Sequence, residues 1–184
     1  DIYTGACHKW MLTPKGSSFL YVKRDLQSWF DPLMVSWGYE SDYPSESKFI
    51  DYHQLQGTRD FSAFLTIPKA LEFREQFDWE AVSANARKTS QSNCQRFSEA
   101  ANGIVLCPIS DDFLVQMCSI QINCPDFMKL GSLLYNKYKI EIPVFDHYGK
   151  IYIRYSFQGY NTQQDLDKLF DALSQIRKAT NLLG

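Results

Sequence analysis

ACHKWMLTPKGSSFLYVKRD, residues 6–25, sets a single lysine between a histidine and a tryptophan, then passes through Pro14 and Gly16 into an apolar run. Ser18–Lys23 (SFLYVK) is dense in aromatic and β-branched residues and predicts a short strand, introduced by the turn chemistry before it. Lys9 therefore falls in the loop ahead of that strand. Most lysines are solvated surface residues. An amine held at a sheet edge is also a potential nucleophile, provided that its surroundings favour the uncharged form.

The rest of the chain constrains the choice. With 184 residues, 45% hydrophobic and 15% aromatic, it can bury a sizeable core and predicts a folded protein of one large domain or one and a half. A net charge of -2, with no Lys/Arg run, argues against a nucleic-acid partner, and no apolar run approaches membrane-spanning length. The five cysteines form no CxxC pair, which argues against a disulfide framework or a structural zinc site and fits a reducing cytoplasm. Neither the three histidines nor the carboxylates show metal-ligand spacing, so no metal is expected. His53 and His147 read as lone surface or hydrogen-bonding residues.

Residues 1–77 and 78–184 differ in rhythm. In the first part, 37–56 carries aromatics without a 3.6-residue period and reads as a long ordered loop. Asp60 offers an N-cap to a helix that carries Phe61, Phe64, Leu65, Leu71 and Phe73 and is bent at Pro68. The second part reads as an α+β unit. It has a polar helix from Trp79 to Ala101, a strand over 113–122, and a helix capped by Asp126. A hairpin follows over 140–155, turning at 146–149, and then a helix opened by Thr162 and Asp165. In IYIRYSF, residues 151–157, alternation puts Ile151, Ile153, Tyr155 and Phe157 on one face and Tyr152, Arg154 and Ser156 on the other. A mid-strand arginine is an ordinary polar-out residue if that face meets solvent. If it meets a cleft, its fork suits a carboxylate.

Residues 1–25 (DIYTGACHKWMLTPKGSSFLYVKRD), 54–73 (QLQGTRDFSAFLTIPKALEF), 137–145 (KYKIEIPVF) and 151–169 (IYIRYSFQGYNTQQDLDKL) together resemble the class V aminotransferase family of pyridoxal-phosphate enzymes, and within it the isopenicillin N epimerase-like branch. The resemblance implies an α/β fold, the fold type I of pyridoxal-phosphate-dependent transferases. Residues 1–77 would end the large cofactor-binding domain, and 78–184 would form a small α+β C-terminal domain with an antiparallel sheet. The family's N-terminal half, with other cofactor contacts, would lie upstream of Asp1, leaving this chain alone inactive.

The resemblance also implies roles. Lys9 would form the Schiff base with pyridoxal 5'-phosphate, and His8 would contact the cofactor. Gly57 and Thr58 would reach the phosphate in the other subunit of a homodimer with shared active sites, and Arg154 would bind the substrate carboxylate. An amine with a pKa near ~10.4 in water needs desolvation or a positive neighbour to act, which the apolar Trp10, Met11 and Leu12 are expected to supply. The expected function is chemistry at the α-carbon of an amino acid, of epimerase or aminotransferase type. The alternatives are a C–S lyase (desulfhydrase) or a non-catalytic dimerisation or binding fragment of this fold. Residues 139–153 contain no cysteine, which disfavours the persulfide route of cysteine desulfurases. Ala6 stands where those enzymes carry a hydroxyl, with Thr4 as the possible substitute. Cys7 and His8, adjacent on an extended chain, point apart and form no thiolate–imidazole pair.

Overall fold

The computed structural model describes residues 1–184 and divides them into two compact units, Asp1–Gln76 and Phe77–Gly184. In the first unit β1 (Ile2–Ala6) and β2 (Ser18–Val22) form an antiparallel pair in which Ile2 faces Val22 and Ala6 faces Ser18. A short 3₁₀ turn follows at Arg24–Trp29. The segment read as a loop contains a six-residue helix, α1 (Lys48–His53), whose start is fixed by Ser47 accepting from the amide of Ile50. One and a half turns are too short to display a 3.6-residue period, so the cap is the signal that matters here.

The expected bent helix is two helices, α2 (Ser62–Leu65) and α3 (Ile67–Gln76). Pro68 is the second residue of α3, where a missing N–H leaves no hydrogen bond unmade, so the proline opens a helix and does not bend one. Asp60 accepts from the amide and hydroxyl of Ser62, and this bonding holds its carboxyl below the usual range. The structural N-cap is Phe61.

In the second unit α4 spans Trp79–Ala101. Asp78 caps it by accepting from Ala81, and it ends in a left-handed Asn102 followed by Gly103, whose amide bonds back to Ser98. Although polar in composition, α4 buries Ala86, Ser90, Asn93, Cys94 and Phe97 along one side. The four-stranded antiparallel sheet has the order β3 (Ile104–Val105), β4 (Met117–Ile122), β6 (Lys150–Ser156), β5 (Val144–His147). The strand expected from residue 113 starts at Met117. Residues 111–113 are a turn in which the amide of Phe113 bonds to the carbonyl of Ser110.

Asp126 caps α5 (Phe127–Leu133) by accepting from Lys129, and a turn of π-helix continues it to Tyr138. A Thr162–Asp165 capping box opens α6 (Gln163–Ala179). Cys118, Ile120, Ile153, Tyr155 and Phe157 pack on Phe97 of α4, Leu130 and Leu134, and Leu166, Phe170 and Leu173 of α6. This core settles which face of β6 is buried, and so which face carries Arg154.

Candidate active site

Lys9 lies in the turn that connects β1 to β2. The turn is closed by three backbone bonds: Cys7 N–H to Ser17 C=O (3.0 Å), Thr13 N–H to Cys7 C=O (3.2 Å) and Leu12 N–H to Lys9 C=O (3.3 Å). Leu12 adopts φ +65°, a left-handed conformation that costs a β-carbon-bearing residue about 1–2 kcal/mol and persists only where its neighbours hold it. Beneath the turn the buried hydroxyls of Thr13 and Ser17 meet at 3.0 Å, a pair the sequence reading did not single out.

Lys9 itself is exposed, while Trp10, Met11 and Leu12 are half-buried. The desolvation expected of those three apolar residues is therefore not delivered to the amine. His8 is half-buried, and its Nδ1 is buried with no hydrogen-bond partner. Such an atom forgoes a bond worth about 1–3 kcal/mol, which an anionic ligand group could satisfy. Thr4, the proposed stand-in for a missing hydroxyl, is already committed: its Oγ1 donates to the carbonyl of Phe19 at 2.7 Å.

Gly57 and Thr58 lie between α1 and α2, in a segment without regular structure. Gly57 has φ +110°, a conformation that side chains disfavour, and a β-carbon there would meet no atom within 4 Å. The glycine is thus required by the backbone and leaves its peptide approachable. The neighbouring Arg59 lies over the ring of Phe64 at 4.8 Å and bonds to Gln56 at 3.1 Å, which occupies its guanidinium locally. An open cavity in this unit is lined by Thr4, Phe19, His53, Gln56, Arg59 and Phe64, and Lys9, Gly57 and Thr58 do not line it.

Arg154 sits at the centre of β6, opposite Ser119 of β4, with its own amide bonded to Pro143 C=O at 3.1 Å. It shares the non-core face with Ser119, Gln121, Tyr152 and Phe145, the last two stacked at 5.7 Å. Arg154 has no ion pair in this chain, and its Nε is buried without a partner. A planar donor fork in that condition is suited to a carboxylate.

Within the first unit, a short turn with an amine, an adjacent imidazole with an unused buried nitrogen and an open glycine peptide are groups that suit an anionic, carbonyl-bearing ligand; within the second, an unpaired arginine fork suits a carboxylate. The family model for class V aminotransferases matches residues 1–169, and the chain belongs to that family. Its structural neighbours share the fold type I architecture of pyridoxal-phosphate-dependent enzymes, and pyridoxal phosphate is the cofactor that membership implies.

The chain is 28% identical over 188 residues to isopenicillin N epimerase of Amycolatopsis lactamdurans, covering 97% of this chain and 47% of that protein. It is 29% identical over 200 residues to a probable chloroplastic L-cysteine desulfhydrase of Arabidopsis thaliana, covering 96% and 40%. The apo cysteine desulfurase of Thermococcus onnurineus NA1 superposes with a TM-score of 0.76 at 14% identity, over 97% of this chain and 47% of that one. The chain therefore spans less than half the length of these relatives.

Proposed function

We propose that this chain is the C-terminal part of a pyridoxal-phosphate enzyme that acts at the α-carbon of an amino acid, with Lys9 as its reactive amine and Arg154 as its carboxylate anchor. The observation that carries the reading is the family match over residues 1–169, a range that contains Lys9, Gly57, Thr58 and Arg154. The unused buried nitrogens of His8 and Arg154 support it. On this reading residues 1–77 end the large cofactor-binding domain and 78–184 form the small domain.

When bound, the cofactor supplies an electron sink for negative charge at the substrate α-carbon. The chain's own residues do the rest. His8 donates to the cofactor, and Gly57 and Thr58 offer a backbone N–H and a hydroxyl to the phosphate bound by a second copy, in a homodimer with shared sites. Arg154 fixes the substrate by its carboxylate in two parallel bonds, which orients the α-hydrogen. Lys9 would hold the cofactor through its amine and, when free, would move the proton at the substrate α-carbon.

Return of the proton to the opposite face of the α-carbon would make the reaction an epimerisation, whereas in transamination the α-carbon would not regain it. A second reading, C–S bond cleavage, is favoured by the desulfhydrase relatives. The absence of cysteine in 139–153 argues for direct elimination over a persulfide route.

The test uses the full-length protein. Borohydride reduction followed by peptide mapping should find the cofactor on Lys9, and Lys9→Ala should abolish turnover across an amino-acid panel scored for racemised substrate, keto acid, pyruvate and sulfide. Cofactor attached elsewhere would overturn the assignment.

A further inference from the structure

We propose that Arg74 is a positioning residue for Lys9, holding the lysine turn from a helix 64 residues away. The inference rests on the reading of Lys9 above. Arg74, in the last turn of α3, donates from Nη1 to the backbone carbonyl of Trp10 at 3.0 Å. Trp10 directly follows Lys9, so this bond grips the turn one peptide from the amine.

Two features separate this arrangement from an ordinary helix-end arginine. A basic residue in a last turn is expected to serve its own helix carbonyls or a nearby acid. Arg74 forms no ion pair, although Glu72 and Glu75 flank it in sequence, and Glu72 is taken by Lys69. Its bond goes instead to a distant irregular segment, which has no other hold from α3 in the chain's backbone bonding.

The turn also needs an external hold. Leu12 is left-handed without being glycine, and the Leu12 and Thr13 bonds that close the turn are long, at 3.3 and 3.2 Å. A charge-assisted bond from a guanidinium is roughly twice as strong as a neutral one and, being half-buried, is poorly replaced by water. It fixes the turn's carbonyl, and through it the direction in which the Lys9 side chain leaves the backbone. An amine that must meet one carbon at bonding distance depends on that direction.

The amides of Leu12 and Thr13 report the turn directly. In cofactor-free full-length protein, Arg74→Gln should raise their hydrogen-exchange rates by about tenfold, the loss expected for one charged hydrogen bond, while the Ala70 amide of α3 stays protected. Arg74→Lys, which restores one charged donor, should recover part of that protection. In the loaded protein, Arg74→Gln should lose cofactor faster on dialysis and lower kcat more than it raises KM.

Unchanged exchange at Leu12 and Thr13, or exchange raised equally throughout α3, would overturn the proposal. If the cofactor maps to Lys9 and those amides do not respond, the Arg74 inference alone fails. If it maps elsewhere, the reading beneath it fails.

Discussion

The phenol of Tyr155 donates a 2.7 Å hydrogen bond to the backbone carbonyl of Ser90, tying β6 to α4 at the residue next to Arg154. Tyr155 is buried and also packs edge-on against Phe97, with centroids 4.9 Å apart. Because one side of β6 is pinned in this way, alternation holds Arg154 on the other.

Removing that pin has a calculable cost. Tyr155→Phe keeps the ring and deletes the donor, and should destabilise the protein by about 1 kcal/mol in urea unfolding. Burial pushes the Tyr155 phenol up from its ordinary value. A raised folded-state pKa means that the stabilisation is complete below about pH 10 and is lost as pH rises toward the folded value. The stability difference between wild type and Tyr155→Phe should therefore be flat at neutral pH and shrink only above about pH 10.

Arg154 itself gives a second prediction, which follows from its proposed role. Arg154→Lys keeps the charge but loses the fork, so KM for the amino acid should rise roughly tenfold to a hundredfold, as expected for lost charged hydrogen bonds. Steady-state kinetics on the full-length protein measure it. Turnover unchanged in Arg154→Ala would show that this face of the sheet does not meet the substrate.

The sequence made some of these features plain and hid others for physical reasons. The bounds of α4, the Asp126 cap, the Thr162–Asp165 box and the alternation of β6 are local signals, and the structure keeps each. The six residues of α1 are too few to display a period, and Pro68 has opposite meanings in a helix interior and in a first turn. At the candidate site, the residues themselves came from motif resemblance, but their surroundings did not. Burial of Lys9 was inferred from neighbours in sequence, whereas exposure is decided by what packs over the turn. Arg74 left no trace, since a contact spanning 64 residues has no local signature.

The start of α6 offers a third test. The Thr162 amide bonds to the Asp165 carboxylate at 2.8 Å, and this bond holds the Asp165 carboxyl below its usual range. A depressed folded-state pKa gives stability that is fully present above about pH 4 and is lost as pH falls through the folded value. Thr162→Ala should cost about 1 kcal/mol at pH 7. Asp165→Asn should remove the part of the acid sensitivity due to this group, visible as a flatter stability profile below pH 4 against wild type.

The hairpin between β5 and β6 turns on Tyr148 and Gly149, both with positive φ, at +52° and +76°. Two consecutive left-handed residues make a type I′ turn, whose twist matches the strands that it joins and which favours Asn-Gly. Gly149 meets the requirement, and its amide bonds to the Asp146 side chain at 3.3 Å. Tyr148 does not: the residue is 92% exposed, so it gains little from packing while its backbone bears the left-handed penalty. Tyr148→Asn should therefore stabilise the protein by roughly 0.5–1 kcal/mol, read as a higher urea midpoint at unchanged slope. Gly149→Ala should lower the midpoint, because a β-carbon would then sit at a positive φ on the strand that carries Arg154. A Tyr148→Asn variant no more stable than wild type would mean that the Tyr148 ring, which lies 4.5 Å from His147 edge-on, contributes as much as its backbone costs.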